Sequence, residues 1–413
     1  MRGRHRWARA FIVLLLAAGL VWPSPAGSEG ARKRWRGYTV TQRVYEALEK
    51  THALLADEFY DEAALTLDEM SKAELNPHER ALLHQTRAYM LSGKGLYKEA
   101  ARSFELCLAE RAMPEAAELN IRYNLAQLYL AVEEHGRALD TLSGWFEEAK
   151  NPGPSAYYLL AIIYMQLERS EEAFEPARQA VEGSSTPREP WLQLLLSLYY
   201  DKEDYPAMAG LLERLATGFP KASYWRQLAA VYSHLGREED ALAVGQIAYE
   251  LGFVTEDKHL QNLARMYLLH EIPYRAAAVL ERGIAEEQIE EDSQAWELLA
   301  DSWLSAHEQD RALGPLEKAA KLSDTGDLHV RLGRLHVEQE RWEEASEVLQ
   351  GALEKEELDD RGRALILLGM ALYQLDRLEE AADAFADAVE EEDSRLSAER
   401  WLMHIKRRLA RGR

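Results

Sequence analysis

The residues of this sequence that could carry catalytic or metal chemistry lack the spacing that such chemistry needs. Its 12 histidines include no HExxH motif and no pair at i, i+4 on one helix, which are arrangements that bind zinc. His329 and His336 lie two helical turns apart, and we interpret both as ordinary helix residues. Acidic runs such as Glu354–Glu357 contain no Asp-x-Asp-x-Asp-Gly loop, so we interpret them as solvated surface and not as calcium sites.

The single cysteine, Cys107, excludes an intrachain disulfide, a CxxC motif and a thiolate metal cage. It falls on the apolar face of a predicted helix, which indicates a buried, inert thiol. The sequence also lacks a glycine-rich phosphate loop and a GxSxG motif. We therefore predict a protein that is not an enzyme and that uses neither a metal nor a cofactor.

Composition and charge favour a helical fold and exclude some partners. The 413 residues exceed the roughly 250–300 that one hydrophobic core supports, so the chain is either several domains or an array of repeats. With 24 glycines and 13 prolines, turn-forming residues are too few for an all-β fold. The 49 basic and 71 acidic residues give a net charge of −22, which repels nucleic-acid phosphates and anionic lipids.

The first 28 residues have the organisation of a secretory signal peptide. A basic start precedes the uncharged apolar run Ala10–Val21, and small residues follow at Ser24–Ser28. A membrane-spanning helix needs about 20 apolar residues, so an uncleaved anchor is the less favoured alternative. We expect cleavage after Ser28 or Ala26, a basic linker at 29–41, and a periplasmic mature protein without a membrane span.

Alanines that recur at intervals of 33 to 38 residues indicate an internal repeat. One interval, from Ala173 to Ala241, is twice as long, and Met208 lies at its midpoint. The recurring residues are Ala63, Ala100, Ala138, Ala173, Ala241, Ala276, Ala312, Ala345 and Ala381. A second small residue lies about twelve residues upstream of most of them, as in Leu228-Ala229-x-x-Tyr232. Ten such copies fit between Val44 and Asp393.

Each copy predicts two antiparallel helices. In the sixth copy, a stripe at i, i+3, i+4 and i+7 runs along the first helix. It consists of Trp225, Leu228, Ala229 and Tyr232. The small residues Ala229 and Ala241 allow the two helices to approach closely. Because one pair cannot bury its apolar face alone, the pairs must stack on one another.

The spacing Trp225-x-x-Leu228-Ala229-x-x-Tyr232…Gly236…Ala241…Ala248 resembles the tetratricopeptide repeat. The resemblance implies an all-α, right-handed superhelical solenoid of about ten helix pairs over residues 42–393, followed by a capping helix and basic tail at 394–413. It implies protein binding in general, because such arrays bind unrelated partners.

Longer motifs narrow the resemblance to one group of exported proteins. They are Gln42-Arg-Val-Tyr45, Asn76-Pro77-His78-Glu79-Arg80, Tyr123-Asn124-Leu125-Ala126 and Ile272-Pro273-Tyr274-Arg275-Ala276. Together they resemble tetratricopeptide proteins of Gram-negative bacteria that are encoded beside the TonB–ExbB–ExbD system. This implies a periplasmic adaptor accessory to outer-membrane transport, with TonB, ExbB or ExbD components as partners. A scaffold for cell-wall or exopolysaccharide assembly is the alternative.

In tetratricopeptide arrays the first helices line a concave surface, which gives a set of predicted partner-binding residues. They are Tyr89, Tyr123, Asn124, Gln127, Tyr158, Tyr200, Arg226, Asn262, Arg265, Arg331 and Arg334. We expect the tyrosines to be exposed, and their rings and the neighbouring amides to suit an extended peptide. The arginines suit a ligand with carboxylates. The alternative is that these are solvated groove residues only.

The C-terminal cluster of basic residues has two interpretations. From Arg400 to Arg413 the chain carries six basic residues and no acidic one. They either complement the dipole of a last helix or contact lipid or cell wall, and we favour the first. Trp401 and Ile405, spaced i, i+4, are expected to cover the last apolar face of the array.

Overall fold

The computed structural model describes residues 38–411, and in that range every regular element is an α-helix. The predicted signal peptide at 1–28 and most of the predicted linker lie outside the described residues. Contacts divide the chain into two compact units that meet in sequence at Asp204 and Tyr205, inside the fifth copy of the repeat.

The first unit contains nine of the described helices. They are α1 (Gln42–Ala56), α2 (Tyr60–Ser71), α3 (Pro77–Gly93), α4 (Tyr97–Ala109), α5 (Glu115–Ala131), α6 (His135–Glu148), α7 (Pro154–Gln166), α8 (Ser170–Glu182) and α9 (Glu189–Asp201). Odd-numbered helices are the first helices of successive copies.

The second unit contains the other twelve. They are α10 (Tyr205–Gly218), α11 (Ala222–His234), α12 (Glu238–Glu250), α13 (Asp257–Leu269), α14 (Pro273–Ala285), α15 (Ser293–Ser305), α16 (Gln309–Leu322), α17 (Asp327–Glu338), α18 (Trp342–Leu353), α19 (Arg361–Gln374), α20 (Leu378–Glu390) and α21 (Arg395–Arg411). In the described part of the chain, no helix has the length and apolar composition needed to cross a bilayer.

Within each unit the helices pack in the order of the chain. A first helix contacts the second helix of its own copy, and that second helix contacts the first helix of the next copy. First helices of neighbouring copies also contact one another directly. Such contacts join α1 to α3, α13 to α15 and α17 to α19. First helices of neighbouring copies therefore form a continuous layer in these parts of the units, and the predicted all-α array of helix pairs is confirmed.

The alanine register is also confirmed. All nine recurring alanines are fully buried, and Met208 is buried at the position that replaces the missing one. The second small residue of the repeat, about twelve residues before the alanine, is also closely packed. A Cβ added to Gly333 would lie 2.5 Å from Leu349 Cγ, and one added to Gly369 would lie 2.7 Å from Phe385 Cζ. This residue is small because the second helix of the pair occupies the space that a side chain would need.

The turn inside each copy contains one residue in the left-handed conformation. These residues are Glu58, Gly95, Glu133, Glu168, Glu203, Gly236, Glu271, His307, Glu340 and Asp376. The sharp reversal between two helices needs a positive φ, which glycine adopts freely and other residues adopt at a cost. Only two of the ten are glycines, so most of the turns carry backbone strain.

The closing helix α21 covers the apolar end of the second unit, as expected. Trp401 stacks on Phe385 of α20 with ring centroids 5.3 Å apart and an interplanar angle of 3°. Ile405 is fully buried in the same cluster. The hydroxyl of Tyr373 on α19 is hydrogen-bonded to His404 Nε2 at 3.0 Å.

Candidate functional site

Two amide side chains of α5 are buried in the first-helix layer of the first unit. Asn124 is 1% exposed and Gln127 is 7% exposed. Asn124 Nδ2 donates a hydrogen bond to the Tyr89 hydroxyl on α3 over 3.3 Å, and the Gln127 side chain is hydrogen-bonded to the Tyr123 hydroxyl. Neither Asn124 Oδ1 nor Gln127 Oε1 has a donor among the described residues. Because an unsatisfied buried acceptor costs about 1–3 kcal/mol, these oxygens do not stabilise the fold.

The expectation that the tyrosines of this layer are exposed is wrong for two of them. Tyr89 is 8% exposed and packs edge-on against Phe104 at 5.3 Å, while Tyr158 is 3% exposed and packs against Trp191 at 5.6 Å. Both rings fill space between neighbouring helices. Tyr123 is half-buried.

An arginine that the repeat spacing did not indicate lies near the hydroxyls of Tyr123 and Tyr158. Arg188 precedes α9, and its guanidinium carbon lies 5.6 Å from the centroid of the Trp191 ring. Burial raises the pKa of Tyr123 and of Tyr158, and the charge of Arg188 opposes both shifts. Among the residues that the structure describes, no carboxylate forms an ion pair with Arg188. A loop residue has no helical register, which is why the repeat pattern could not identify it.

A row of four aromatic rings extends this surface across three helices. Tyr123 lies 5.3 Å from Trp145, Trp145 lies 5.2 Å from Phe146, and Phe146 lies 5.2 Å from Tyr157, measured between ring centroids. We call Tyr89, Tyr123, Asn124, Gln127, Tyr158 and Arg188 the amide–tyrosine cluster. It combines buried acceptors without donors with a cation, and the row of half-buried rings lies next to it, which together suit a polar, extended ligand.

Tyr200 at the end of α9 differs from the other tyrosines of the predicted set. It is 65% exposed, so its ring is available to a partner without any rearrangement. Its role in binding stays a prediction, as do the roles of the other residues of the set.

The second unit has a cavity of about 240 Å³ between α11, α12 and α13. Its lining consists of Trp225, Arg226, Ala229, Gly245, Ala248, Val254, His259, Asn262, Leu263 and Met266. The interior is almost wholly apolar, and the exposed side chains Arg226 and Asn262 stand at its rim. Two residues of the predicted set therefore come together at one cavity.

Charges around this cavity are unevenly balanced. Arg226 Nη1 lies 3.1 Å from Glu256 Oε1, and His259 Nδ1 lies 3.3 Å from the other oxygen of the same carboxylate. Arg265 instead donates to two amide oxygens, of Gln261 over 3.0 Å and of Asn262 over 3.4 Å. Within the described residues Arg265 has no carboxylate partner.

The remaining arginines of the set are already engaged inside the chain. Arg331 on α17 pairs with Glu297 at 2.5 Å and also with Asp301, both on the preceding first helix α15. Arg334 lies 3.5 Å from Glu338 one turn further along its own helix. A carboxylate ligand at Arg331 would have to displace two partners, whereas one at Arg265 would displace none.

The cysteine and the two histidines considered for catalytic or metal chemistry lie in different units, on α4 and on α17. Burial raises the pKa of the Cys107 thiol to about 12, which leaves it protonated and unreactive at neutral pH. Burial lowers the pKa of both His329 and His336. Among the described residues, no three His, Cys, Asp or Glu side chains come together in a way that could hold a metal ion.

The repeats of the chain match a known family model. A model described as tetratricopeptide repeat matches residues 123–188 and 330–395, which correspond to α5–α8 and α17–α20. The chain carries tetratricopeptide repeats. Such repeats are scaffolds for protein–protein interaction, and the fold is in general not catalytic. Most of the amide–tyrosine cluster lies inside the first matched segment.

Several solved structures are similar to this chain at low identity. A protein from Parabacteroides merdae ATCC 43184 is 18% identical over 68% of this chain and 94% of its own, with a TM-score of 0.36. YrrB, described as a TPR protein with an unusual peptide-binding site, is 17% identical over 48% and 99%, with a TM-score of 0.37. MamA from Desulfovibrio magneticus RS-1 is 19% identical over 43% and 96%, with a TM-score of 0.38. A search of curated proteins found no significant match.

Proposed function

We propose that this protein is a non-enzymatic tetratricopeptide adaptor that binds an extended segment of a partner protein on the amide–tyrosine cluster. The observation that carries the proposal is the pair of buried amide oxygens, Asn124 Oδ1 and Gln127 Oε1, which lack donors in the described structure. An extended peptide presents main-chain N–H groups along its length, and these oxygens would accept from them once the first-helix layer opens enough to expose the two amides.

The surroundings of the two amides favour the same ligand. The row of rings from Tyr123 to Tyr157 offers flat apolar surface for side chains of the peptide, and Arg188 offers a cation without a carboxylate partner among the described residues. Aromatic residues and arginine are the residues that most often dominate binding energy at protein interfaces.

We place this adaptor in the periplasm, accessory to a TonB-type transport system. The support is the signal-like organisation of residues 1–28 and the resemblance of the Asn76–Arg80 and Tyr123–Ala126 motifs to exported proteins encoded beside TonB, ExbB and ExbD. The partner is then an envelope protein, and a component of that complex is our first candidate.

The test is capture of crosslinked envelope proteins by the mature chain and by the double variant Asn124→Ala, Gln127→Ala. The two substitutions remove the unsatisfied oxygens, but they also remove the hydrogen bonds to Tyr89 and Tyr123 and shorten buried side chains, so the melting temperature should fall. Capture is therefore compared at a temperature at which both proteins are folded. Capture should fall at least tenfold. Gln179→Ala on the second helix α8 is the matched control and should capture normally. Equal capture by the double variant would move the binding site to another surface.

The location is tested separately by N-terminal sequencing of the protein from fractionated cells. A chain that begins at Gly27 or Glu29 in the periplasmic fraction supports export and cleavage. A chain that retains Met1 in the membrane fraction contradicts the cleaved form. Crosslinks to cell-wall enzymes in place of TonB, ExbB or ExbD would favour the alternative scaffold role.

A further inference from the structure

The cavity of the second unit has the size and lining of a pocket for one side chain. Its volume of about 240 Å³ is below the roughly 300–1,000 Å³ of pockets that hold drug-sized molecules. Its walls are apolar and include Leu263, Met266 and Val254. A polar or charged group would lose its hydration there without gaining a partner, so the lining selects an apolar occupant.

The shape of the cavity depends on Gly245, a glycine in the interior of α12. Gly245 lines the cavity, and a Cβ added to it would lie 3.3 Å from Leu263 Cδ1. Glycine inside a helix costs about 1 kcal/mol relative to alanine. The second helix α12 thus retains a destabilising residue where a larger one would fill the cavity.

The rim of the cavity offers hydrogen bonds and one unneutralised cation. Asn262 lines the cavity and accepts a hydrogen bond from Arg265, one turn further along α13. Arg226 is neutralised by Glu256, but Arg265 contacts amide oxygens only. The chain has a net charge of −22, and Arg331 has two acidic partners. Because Arg265 has no acidic partner among the described residues, it offers complementary charge to a carboxylate.

We propose that this cavity binds one large apolar side chain of a partner protein, presented next to a carboxylate that pairs with Arg265. The inference goes beyond the function proposed above, because it assigns a second binding site, in the other unit, with its own ligand chemistry. The carboxylate can belong to an acidic side chain or to the end of the partner chain, and both would place one negative charge beside the rim.

The probes are short synthetic peptides added to the mature full-length protein. One ends in leucine with a free carboxylate, the second is the same peptide amidated, the third has an internal leucine followed by aspartate, and the fourth has alanine in place of leucine. Methyl NMR of labelled methionine reports on the cavity through Met266, which is assigned with the variant Met266→Leu. The leucine peptides with a carboxylate should shift this methyl signal in a saturable way, and the alanine peptide should not.

Variants separate the pocket from its rim. Gly245→Leu fills the cavity and should abolish the Met266 shift, whereas Gly210→Leu, at an exposed helical glycine with open space around it, should leave the shift unchanged. Arg265→Gln should weaken binding of the carboxylate peptides about tenfold at low salt and leave the amidated peptide unaffected. A preference for the terminal or for the internal carboxylate identifies its source.

Three results would overturn the proposal. They are the absence of any peptide-dependent shift of Met266, equal binding of the leucine and alanine peptides, and equal binding of the amidated and carboxylate peptides. If Gly245→Leu does not fold, the proposal is still tested by the relative binding of the four peptides and by the effect of Arg265→Gln on that binding. The double variant Asn124→Ala, Gln127→Ala should bind these peptides normally, so failure of one site is distinguishable from failure of the other.

Discussion

The side chain of Glu79 joins the start of α3 to the start of α1 through Thr41. The main-chain N–H and the hydroxyl of Thr41 both donate to Glu79 Oε1, each over 2.8 Å, and the N–H of Asn76 donates to Oε2 over 3.0 Å. Asn76 Oδ1 accepts in return from the Glu79 N–H, which completes a capping box. Burial alone would raise the pKa of Glu79, but these hydrogen bonds hold it below its ordinary value.

Replacing this carboxylate should weaken the N-terminal end of the array. In Glu79→Gln the amide cannot accept all three hydrogen bonds, so we expect a loss of about 1–3 kcal/mol of unfolding free energy at neutral pH. The contribution of ionised Glu79 is present above its unfolded pKa and is lost as pH falls through the lower folded pKa. Variant and parent should therefore converge in acid. Urea melts across pH measure this, and the exposed Glu74→Gln should have no effect.

Glu79 also shows what the sequence could and could not predict. The Asn76–Arg80 motif carries the resemblance to the exported proteins, which stays a prediction. The spacing predicts the helix pairs, the alanine column and the closing helix, and the structure confirms these. The link to Thr41 crosses 38 residues and follows from how α1 packs on α3. The ion pairs of Arg331 with Glu297 and Asp301 cross between copies in the same way. Helical periodicity indicates which face is apolar, but exposure also depends on the neighbouring helix, which is why Tyr89 and Tyr158 are buried although the spacing predicts exposed side chains.

A buried histidine should make the second unit sensitive to acid. His336 on α17 is buried, and its Nδ1 has no partner among the described residues. Burial lowers its pKa, with Arg341 acting in the same direction and Glu317 and Glu344 opposing. The stability that depends on neutral His336 is present above its unfolded pKa of about 6.5 and is lost as pH falls through the folded pKa.

The variant His336→Phe should remove this sensitivity. Phenylalanine keeps an aromatic ring in the column where other copies have Tyr or Trp. Between pH 7 and pH 5 the melting temperature of the parent should fall more than that of the variant, while the gap between them should be constant above pH 7.5, where the histidine is neutral in both states. Parallel curves over the whole range would contradict the assignment.

Two glycines in the interior of helices should respond in opposite ways to alanine. Gly369 lies against the ring of Phe385, so Gly369→Ala forces a shift in the pair and should cost about 1–3 kcal/mol. Gly210 faces open space, so Gly210→Ala should stabilise the protein by about 0.5–1 kcal/mol through helix propensity. Thermal melts of both variants test the packing register, and a gain for Gly369→Ala would mean that the pairs are less tightly packed than described.

The strained turns offer a route to higher stability. Glu133 connects α5 to α6 at a φ of 64°, where glycine is free of the clash between Cβ and the following carbonyl. Glu133→Gly should raise the unfolding free energy by about 1 kcal/mol. The reverse change, Gly95→Glu at a φ of 74°, should lower it by a similar amount, since no neighbour lies within 4 Å of an added Cβ there.

The closing helix should be required for stability and solubility. Deleting residues 395–413 would uncover Phe385 and the rest of the cluster that Trp401 and Ile405 complete, so we expect a lower melting temperature and aggregation. Deleting only 409–413 keeps both side chains and serves as the control. Unchanged melting of the longer deletion would remove α21 from any capping role.

The outward side of α21 limits how long such an array can become. Stacked repeats can in principle grow without limit. Each repeat covers the apolar face of the previous repeat and leaves an equivalent face open for the next one. Here the apolar side of the last helix packs against α20, while Arg400, Lys406 and Arg407 are exposed. Stacking another molecule on this end would strip water from three cations, which opposes filament growth.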